Sequence, residues 1–306
     1  MKWSFSGYGT FRRCPRQWFY KTIFANSRAK DPSRREAARL SKLENIPSWR
    51  GKIVDTVISY AVIPSIISKQ PYDLLAARKK ADEIFDLQRE QRTVLKNSSA
   101  SSGTVNGAFF EVEYGKLLND ETFSNARSDI YTSLQNFYDS EDVWAFLNQA
   151  KMLIPQRALS FKDGTISIRC VPDLILFRSP QPPVIFDWKV NIHPVRDYWL
   201  QLVTGAIALT RCTHHKDWPD DEVHHGPHEI ELQEVQLLTG RVINHQVSME
   251  DIEDAEDTIS SSITDMQFTC NDDDPTQLSP EAIPVTKNPT TCDFCSFRKL
   301  CWGSVL

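Results

Sequence analysis

Two aspartates and a lysine lie close together in one stretch of the chain, Val171 to Val190, which reads V-P-D-L-I-L-F-R-S-P-Q-P-P-V-I-F-D-W-K-V. Asp173 stands near its start, and Asp187 and Lys189 stand near its end, separated by one residue. Carboxylate oxygens are the ligands that Mg²⁺ and Mn²⁺ prefer. A lysine beside them can hold, or help to deprotonate, a water molecule that the metal activates. These residue types therefore point to hydrolysis of a phosphodiester.

The same stretch has the pattern of a β-hairpin. Two β-prone runs, Leu174–Phe177 and Val184–Phe186, flank a Ser-Pro-Gln-Pro-Pro turn. The period of two in a strand places Asp187 and Lys189 on one face and Trp188 on the other. An isolated D-x-K is more often a solvated strand end, but the preceding aspartate and the apolar strands favour an active site here.

A second group of residues with metal-binding chemistry consists of cysteines. Cys292, Cys295 and Cys301 form C-x2-C-x5-C, which is a metal-ligand spacing with one ligand missing, and Cys14 is the natural fourth ligand. The alternative is that Cys14 is a small buried hydrophobic residue of an amphipathic helix. Spacing alone does not distinguish an iron–sulfur cluster from zinc bound by four thiolates.

Composition excludes several classes of protein. The 306 residues are 41% hydrophobic and 25% charged, and no apolar run approaches the roughly 20 residues that span a bilayer. The opening M-K-W-S-F-S lacks the apolar core of a signal peptide, so we expect a cytoplasmic protein with no membrane partner. Thiols stay reduced in that compartment, which favours metal or cluster binding over disulfides.

The net charge of −5 conceals a strong segregation of charge. Residues 1–52 contain eight arginines and only three acidic residues, whereas residues 217–282 contain many acidic residues and Arg241 as their only Lys or Arg. An acidic protein can therefore still bind nucleic acid through a local basic face. The N-terminal arginines and aromatic residues could supply phosphate contacts and base stacking. The arginines that we predict to contact DNA are Arg12, Arg13 and Arg16.

Local patterns predict the elements around these groups. Ser4 or Ser6 is expected to cap a first helix, and Pro15 to break it or begin a new turn. A histidine-bearing segment, 211–228, is more typical of a polar surface loop than of a metal site. The remaining predictions are helical patterns over 72–92 and 108–150, a loop over 97–107, a strand near Met152–Phe161, a turn at Asp163-Gly164, a helix after Lys189, a hairpin over 229–247 with its turn at Thr239-Gly240, and an acidic helix from Ser248 to about Met266.

Pro172-Asp173 and Asp187-Trp188-Lys189 resemble the motif of the PD-(D/E)xK nuclease superfamily letter for letter. The resemblance implies an α/β, restriction-endonuclease-like core with a central mixed sheet, a helical insertion and a C-terminal tail that carries the cysteine cluster. It implies that Asp173, Asp187 and the Trp188 carbonyl bind Mg²⁺ or Mn²⁺, and that Lys189 positions or activates the water. The corresponding segments are 1–59 (N-terminal helical segment with the basic face), 60–150 (helical insertion), 151–247 (nuclease core) and 248–306 (acidic helix and cysteine motif).

The N-terminal and C-terminal cysteine segments carry a more specific resemblance. The pattern S-x-S-x(4)-F-x-x-C-P-R at Ser4 to Arg16, with the terminal cysteine triplet, resembles the iron–sulfur branch of the RecB-like nucleases. AddB-type helicase–nuclease subunits and CRISPR-associated iron–sulfur exonucleases belong to that branch. The resemblance implies that the first and last cysteines hold one [4Fe–4S] cluster and staple the chain ends together.

Three positions depart from the family pattern. Asp55 follows Gly51 at the spacing where the family usually has a histidine that reaches the catalytic metal; aspartate can bind Mg²⁺ or Mn²⁺ equally well, so Asp55 is a candidate ligand. Gln156 lies where many relatives carry a glutamate. Gln201 occupies the position of a glutamine that usually lies near the active site, but the tyrosine four residues later is replaced by Gly205.

The sequence thus predicts a metal-dependent DNA nuclease, an exonuclease or end-processing enzyme on single-stranded DNA, working with a helicase or with CRISPR or phage-defence components. One alternative is a catalytically degenerate DNA-binding or scaffold subunit, which the three departures favour and the intact aspartates and lysine oppose. Another is a cysteine-rich zinc protein in which the D-x-K is accidental.

Overall fold

The structure is a computed structural model, and it describes residues 2–93, 107–191, 198–219, 223–270 and 275–302. The strands are β1 (Lys2–Trp3), β2 (Met152–Pro155), β3 (Leu159–Asp163), β4 (Ile166–Cys170), β5 (Leu174–Arg178), β6 (Gln181–Lys189), β7 (Glu231–Gln236) and β8 (Arg241–His245). The α-helices are α1 (Phe5–Arg13), α2 (Pro15–Phe19), α3 (Pro32–Leu40), α4 (Ile46–Val57), α5 (Ile63–Ile67), α6 (Leu74–Thr93), α7 (Phe110–Glu113), α8 (Asp120–Asp139), α9 (Glu141–Gln149), α10 (Tyr198–Arg211), α11 (Met249–Thr269) and α12 (Arg298–Trp302).

The chain divides into two compact units. The sheet unit consists of Met1–Lys2, Ile46–Arg89 and Leu118–Glu256. The cysteine unit consists of Trp3–Asn45, Glu90–Leu117 and Asp257–Leu306.

The sheet unit is built on a mixed five-stranded sheet in the order β2-β5-β6-β7-β8. The strands β5 and β6 pair antiparallel, which confirms the predicted hairpin. The next pair, β6 and β7, is parallel, with Asp187 opposite Glu234, and β7 and β8 are antiparallel. The predicted α/β fold class with a central mixed sheet is therefore confirmed.

Helices cover both faces of β6. The helices α8 and α9 pack on the face that carries its aromatic residues, and α10 packs on the face that carries Asp187 and Lys189. Phe137 of α8 lies edge-on against Trp188, with ring centroids 5.6 Å apart. Phe146 of α9 packs in the same way on Phe186, also at 5.6 Å. The helix α10 packs against β6 and β7, and its Gln201 reaches Asp187 and Lys189. The alternation along β6 thus directs the acid and the lysine away from Trp188, as predicted.

The predicted single strand near Met152–Phe161 is wrong. The chain forms two strands there, β2 in the five-stranded sheet and β3 in a second sheet. They are separated at Gln156, whose φ of 50° belongs to the left-handed region and cannot continue a strand. The following hairpin, β3–β4, turns at Gly164 with φ 55°, as the Asp-Gly dipeptide predicts.

The termini of several helices follow the sequence signals. Ser4 caps α1 by accepting the Gly7 N–H at 3.1 Å, and Pro15 is the first residue of α2. The acidic helix predicted from Ser248 is α11. The loop predicted over 97–107 lies, apart from Gly107, outside the described residues. In the described part of the chain, no helix combines the length and hydropathy needed to cross a bilayer.

The cysteine unit has a small core that includes one of the cysteines. Tyr20 stacks on Phe297 with ring centroids 5.4 Å apart. Leu40 and Cys295 are buried in the same cluster. The segment that carries Cys295 is therefore part of the hydrophobic core of this unit.

Candidate functional site

The end of β6 presents a buried acid beside a lysine. Asp187 is 2% exposed, and its carboxylate forms an ion pair with the Lys189 ammonium. The Lys189 Nζ also lies 4.1 Å from the centre of the Tyr198 ring, a cation–π contact from the start of α10. Lys189 is thus held on two sides, which gives its ammonium a defined position.

Gln201 connects the acid and the lysine. Its Oε1 accepts a hydrogen bond from Lys189 Nζ at 3.1 Å, and its Nε2 donates to Asp187 Oδ1 at 2.6 Å. Since each end of the amide has a partner of the matching type, its orientation is determined. Gln201, which the family pattern predicts to lie near the active site, therefore contacts both Asp187 and Lys189.

Asp173 stands immediately before β5, the strand paired with β6. Its Oδ2 accepts the Trp188 backbone N–H at 2.7 Å, and its Oδ1 accepts from Gln156 Nε2 at 3.0 Å. The hairpin thus brings Asp173 to the backbone between Asp187 and Lys189. The Trp188 carbonyl stays a predicted metal ligand.

Asp55 reaches the same site from the last turn of α4. Its Oδ1 accepts hydrogen bonds from Ser59 Oγ at 3.0 Å and from Gln156 Nε2 at 2.8 Å. Ser59 lies in a π-helical segment, Ile58–Val62, that follows α4, and such segments often occur at functional sites. A single side-chain amide, that of Gln156, therefore connects Asp55 with Asp173.

Gly205 has a packing explanation. A Cβ at this position of α10 would lie 3.4 Å from Ile185 Cδ1 and 3.8 Å from Pro172 Cγ. A Cβ alone would therefore already be in van der Waals contact with Ile185 and Pro172. The larger tyrosine of the family pattern would require α10 to move away from β6.

The electrostatics of the site come from burial of like charges. Burial raises the pKa of Asp173 well above its usual value, and the Asp187 and Asp55 carboxylates raise it further. Burial likewise raises the pKa of Asp187 and of Asp55. Burial alone would lower the pKa of Lys189, but the ion pair with Asp187 outweighs it, so that pKa is raised. A bound cation would relieve the repulsion between the carboxylates.

These side chains have the donor chemistry of a site for a hard divalent cation. Carboxylate oxygens and amide carbonyls are ligands of Mg²⁺ and Mn²⁺, and three carboxylates are gathered here with few opposing charges. Among residues 2–93, 107–191, 198–219, 223–270 and 275–302, no three acidic, histidine or cysteine side chains are already arranged to hold a metal.

A polar group on the neighbouring strands was not predicted. Glu234, which lies opposite Asp187 in the parallel register, is 3% exposed. Its Oε2 lies 3.0 Å from His245 Nε2, and its Oε1 accepts from Gln236 Nε2 at 2.9 Å. The sequence offered little signal for this group, because four of the six residues of β7 are polar and nothing in the strand singles out Glu234.

The four predicted cluster cysteines line one cavity in the cysteine unit. The cavity has a volume of about 330 Å³, and the cysteines in its lining are Cys14, Cys292, Cys295 and Cys301. Burial raises the pKa of Cys295 to about 12. Burial also raises the pKa of Cys292, and neighbouring Cys14 and Cys301 raise it further. Four thiols around one space are the donor set of either an iron–sulfur cluster or structural zinc.

The C-terminal cysteine segment is also held by charged and aromatic contacts. The buried Glu113 carboxylate accepts two hydrogen bonds from Arg39, both at 2.7 Å, and one from Lys299 Nζ at 2.7 Å. The Tyr114 hydroxyl donates to the Ser296 carbonyl at 2.7 Å. The segment therefore keeps its place through contacts other than those of its cysteines.

The three arginines predicted to contact DNA have different surroundings. Arg12 and Arg13 are exposed on α1; Arg12 lies 5.6 Å from the Tyr8 ring centre. Arg16 instead donates to the Ile283 carbonyl at 2.9 Å and to Cys301 Sγ at 3.6 Å. Arg16 thus has a role inside the cysteine unit, while DNA contact by all three stays a prediction.

Comparison with known proteins identifies the family. A family model described as the PD-(D/E)XK nuclease superfamily matches residues 2–302. No curated protein matches the chain at a significant level. Nucleases of this superfamily generally use divalent metals, which agrees with the donor set gathered by α4, β5 and β6. Because the match spans nearly the whole chain, including every residue of the site, the chain belongs to the PD-(D/E)XK nuclease superfamily, and this membership implies a metal-dependent nuclease.

Proposed function

We propose that this protein is a Mg²⁺- or Mn²⁺-dependent deoxyribonuclease of the RecB-like iron–sulfur branch, acting on single-stranded DNA or DNA ends. The observation that carries the proposal is the convergence of Asp173, Asp187 and Asp55 with Lys189 and Gln201 in one site. Exonuclease action and a helicase or defence-system partner are supported by the resemblance of the motifs alone.

In this proposal each side chain has a distinct part. Asp173, Asp187 and Asp55 would hold the cation, which when bound would polarise the scissile phosphate and activate a water. Lys189 Nζ would donate a hydrogen bond to the attacking water and share the charge that develops on the phosphate. Gln201 would keep the ammonium in place, since its amide already bridges Lys189 and Asp187 at 3.1 and 2.6 Å.

We also propose that Cys14, Cys292, Cys295 and Cys301 hold a structural [4Fe–4S] cluster. The shared cavity and the mutual influence of the thiols support a tetrathiolate site. The choice of iron–sulfur over zinc rests on the pattern from Ser4 to Arg16, so metal analysis must decide it.

A scaffold function is the second candidate, because Gln156 places an amide between Asp55 and Asp173 where many relatives carry an acid. In a degenerate site, such an amide could hold the carboxylates together without any cation. The two proposals differ in whether the purified protein cleaves DNA.

Removal of the divalent metal is expected to stop cleavage completely. End-labelled single-stranded, duplex and circular single-stranded DNA would be incubated with the purified protein in Mg²⁺, Mn²⁺, Ca²⁺ or EDTA. We expect degradation of linear DNA in Mg²⁺ or Mn²⁺, none in EDTA, and resistance of the circle if the enzyme requires an end. DNA binding without cleavage in any metal would favour the scaffold.

The double variant Arg12→Gln/Arg13→Gln is expected to weaken DNA binding and to reduce its salt dependence. Removing one arginine that binds a phosphate of single-stranded DNA should lower the magnitude of the log–log salt slope by about 0.7, so removing both should lower it by about 1.4. Fluorescence anisotropy over a range of salt concentrations measures the slope. Arg241→Gln, from the acidic region, is the matched control, and an unchanged slope in the double variant would place the binding face elsewhere.

A further inference from the structure

Gln156 has an uncommon backbone conformation beside the site. It follows β2 directly, and its φ of 50° lies in the left-handed region, which few residues other than glycine adopt. Its backbone N–H donates to the Asp173 carbonyl at 3.1 Å, which ties it to the start of β5. Strained residues of this kind persist where surrounding structure holds them, and they are concentrated at functional sites.

The side chain of Gln156 uses both amide hydrogens on carboxylates of the site. Its Nε2 donates to Asp55 Oδ1 at 2.8 Å and to Asp173 Oδ1 at 3.0 Å. These carboxylates come from different elements, α4 and the start of β5, and they repel each other when ionised. One neutral group thus sets the separation of two acids in the absence of a cation.

The charges of the site also bear on how many cations it can hold. The ionised carboxylates of Asp55, Asp173 and Asp187 with the Lys189 ammonium sum to two negative charges, which one divalent cation balances. The nearby Glu234 is already engaged by His245 and Gln236. A second divalent cation would leave the site with two net positive charges, and the position between Asp55 and Asp173 carries a neutral amide rather than a carboxylate that could reduce them.

We propose that Gln156 is a positioning residue that restricts this site to a single divalent cation. Its amide spaces Asp55 and Asp173 without adding charge, so the cation lies among three carboxylates and no second cation is held. This inference rests on the proposed function of the same site, and it adds the metal stoichiometry.

The test is the stoichiometry of Mn²⁺ binding to the complete protein, measured by electron paramagnetic resonance of free Mn²⁺ during titration. Wild type is expected to bind one Mn²⁺, and Gln156→Glu is expected to bind two. Gln156→Leu, which has similar size but cannot bridge the acids, should still bind one, with affinity lower by about 10- to 100-fold, the usual effect of losing an outer-shell partner. Gln149→Glu, an exposed change of the same type on α9, is the control and should bind one.

Melting temperature in EDTA gives a second measurement that does not depend on activity. Gln156→Glu places a third carboxylate against Asp55 and Asp173, so its melting temperature in EDTA should fall, and its gain on adding Mn²⁺ should exceed that of wild type. Two Mn²⁺ in wild type, or one in Gln156→Glu with an unchanged melting temperature, would overturn the inference. Failure of wild type to bind any Mn²⁺ would instead overturn the proposed nuclease function. If Gln156→Glu does not fold, the stoichiometry of wild type and the affinity of Gln156→Leu still decide the matter.

Discussion

Asp187→Asn is expected to abolish DNA cleavage at any practical Mg²⁺ or Mn²⁺ concentration. The substitution keeps the size of a side chain that is 2% exposed, and an amide oxygen can still face Gln201. It removes the negative charge that pairs with Lys189 and that a cation requires. The change therefore acts mainly on the charge of the site rather than on its packing. Asp254→Asn, on the exposed side of α11, is the matched control and should cleave like wild type.

Lys189→Ala should have a different effect from Asp187→Asn, because it leaves the carboxylates in place. Loss of a positioned acid–base or water-orienting group typically costs about 10²–10⁴-fold in rate, and we expect a fall in the single-turnover rate of this size with DNA binding retained. Lys162→Ala, an exposed change on β3, controls for the loss of one positive charge.

Asp187→Asn and Lys189→Ala together show whether the D-W-K strand takes part in DNA cleavage. Near-wild-type cleavage by either Asp187→Asn or Lys189→Ala would mean that the D-W-K strand is not the catalytic strand. Thermal melting of each variant checks that a loss of rate is not a loss of fold, since breaking a buried ion pair can itself destabilise a protein by about 3–5 kcal/mol.

Local pattern was sufficient to predict the strand that carries the chemistry. Asp187 and Lys189 share a face because side chains alternate along any strand. The Pro-rich turn reverses the chain, so Asp187 and Lys189 at the end of the second strand return to Asp173 at the start of the first. Both relations depend on fewer than twenty consecutive residues, so the sequence contains all the information they need.

Relations between distant segments were predictable only through the family resemblance or not at all. The approach of Asp55 to Asp173 depends on how α4 packs, and no local pattern shows it. The parallel pairing of β7 with β6, which places Glu234 opposite Asp187, depends on the path of the connection between them. The break at Gln156 was missed although Pro155, a residue that strands disfavour, stands directly before it. The left-handed φ at Gln156 itself has no local signal, and it accompanies side-chain contacts with Asp55 and Asp173.

Cys295→Ala is expected to remove the metal centre and to destabilise the cysteine unit. Cys295 is 9% exposed within the cluster formed with Tyr20, Leu40 and Phe297, and burial raises the pKa of its thiol to about 12. A cysteine that binds a metal does so as a thiolate, so the metal would displace the proton that burial favours on Cys295. Because the metal then contributes its binding free energy to folding, its loss should lower the melting temperature far more than the loss of one sulfur atom.

Cys270→Ala is the control that shows how far the melting temperature falls when a buried sulfur is lost but the metal centre is kept. Cys270 is 2% exposed and lies in the same unit, but it is not among the cysteines that line the cavity. Deleting its sulfur should cost about 1 kcal/mol of packing, which corresponds to a shift of roughly 1–2 °C in a chain of 306 residues. Cys270→Ala should retain the colour and metal content of wild type.

Metal analysis of proteins purified under anaerobic conditions decides the identity of the centre. Wild type should be brown, with roughly four irons and matching sulfide per chain, as expected for one [4Fe–4S] cluster held by four cysteines, and Cys295→Ala and Cys14→Ala should be colourless. Colourless wild type with stoichiometric zinc would replace the cluster by a tetrathiolate zinc site and leave the four ligands unchanged. A folded, metal-replete Cys14→Ala would show that the fourth ligand is another residue, and the contact of Arg16 with Cys301 would then join the N-terminal segment to the centre without a metal bond from that segment.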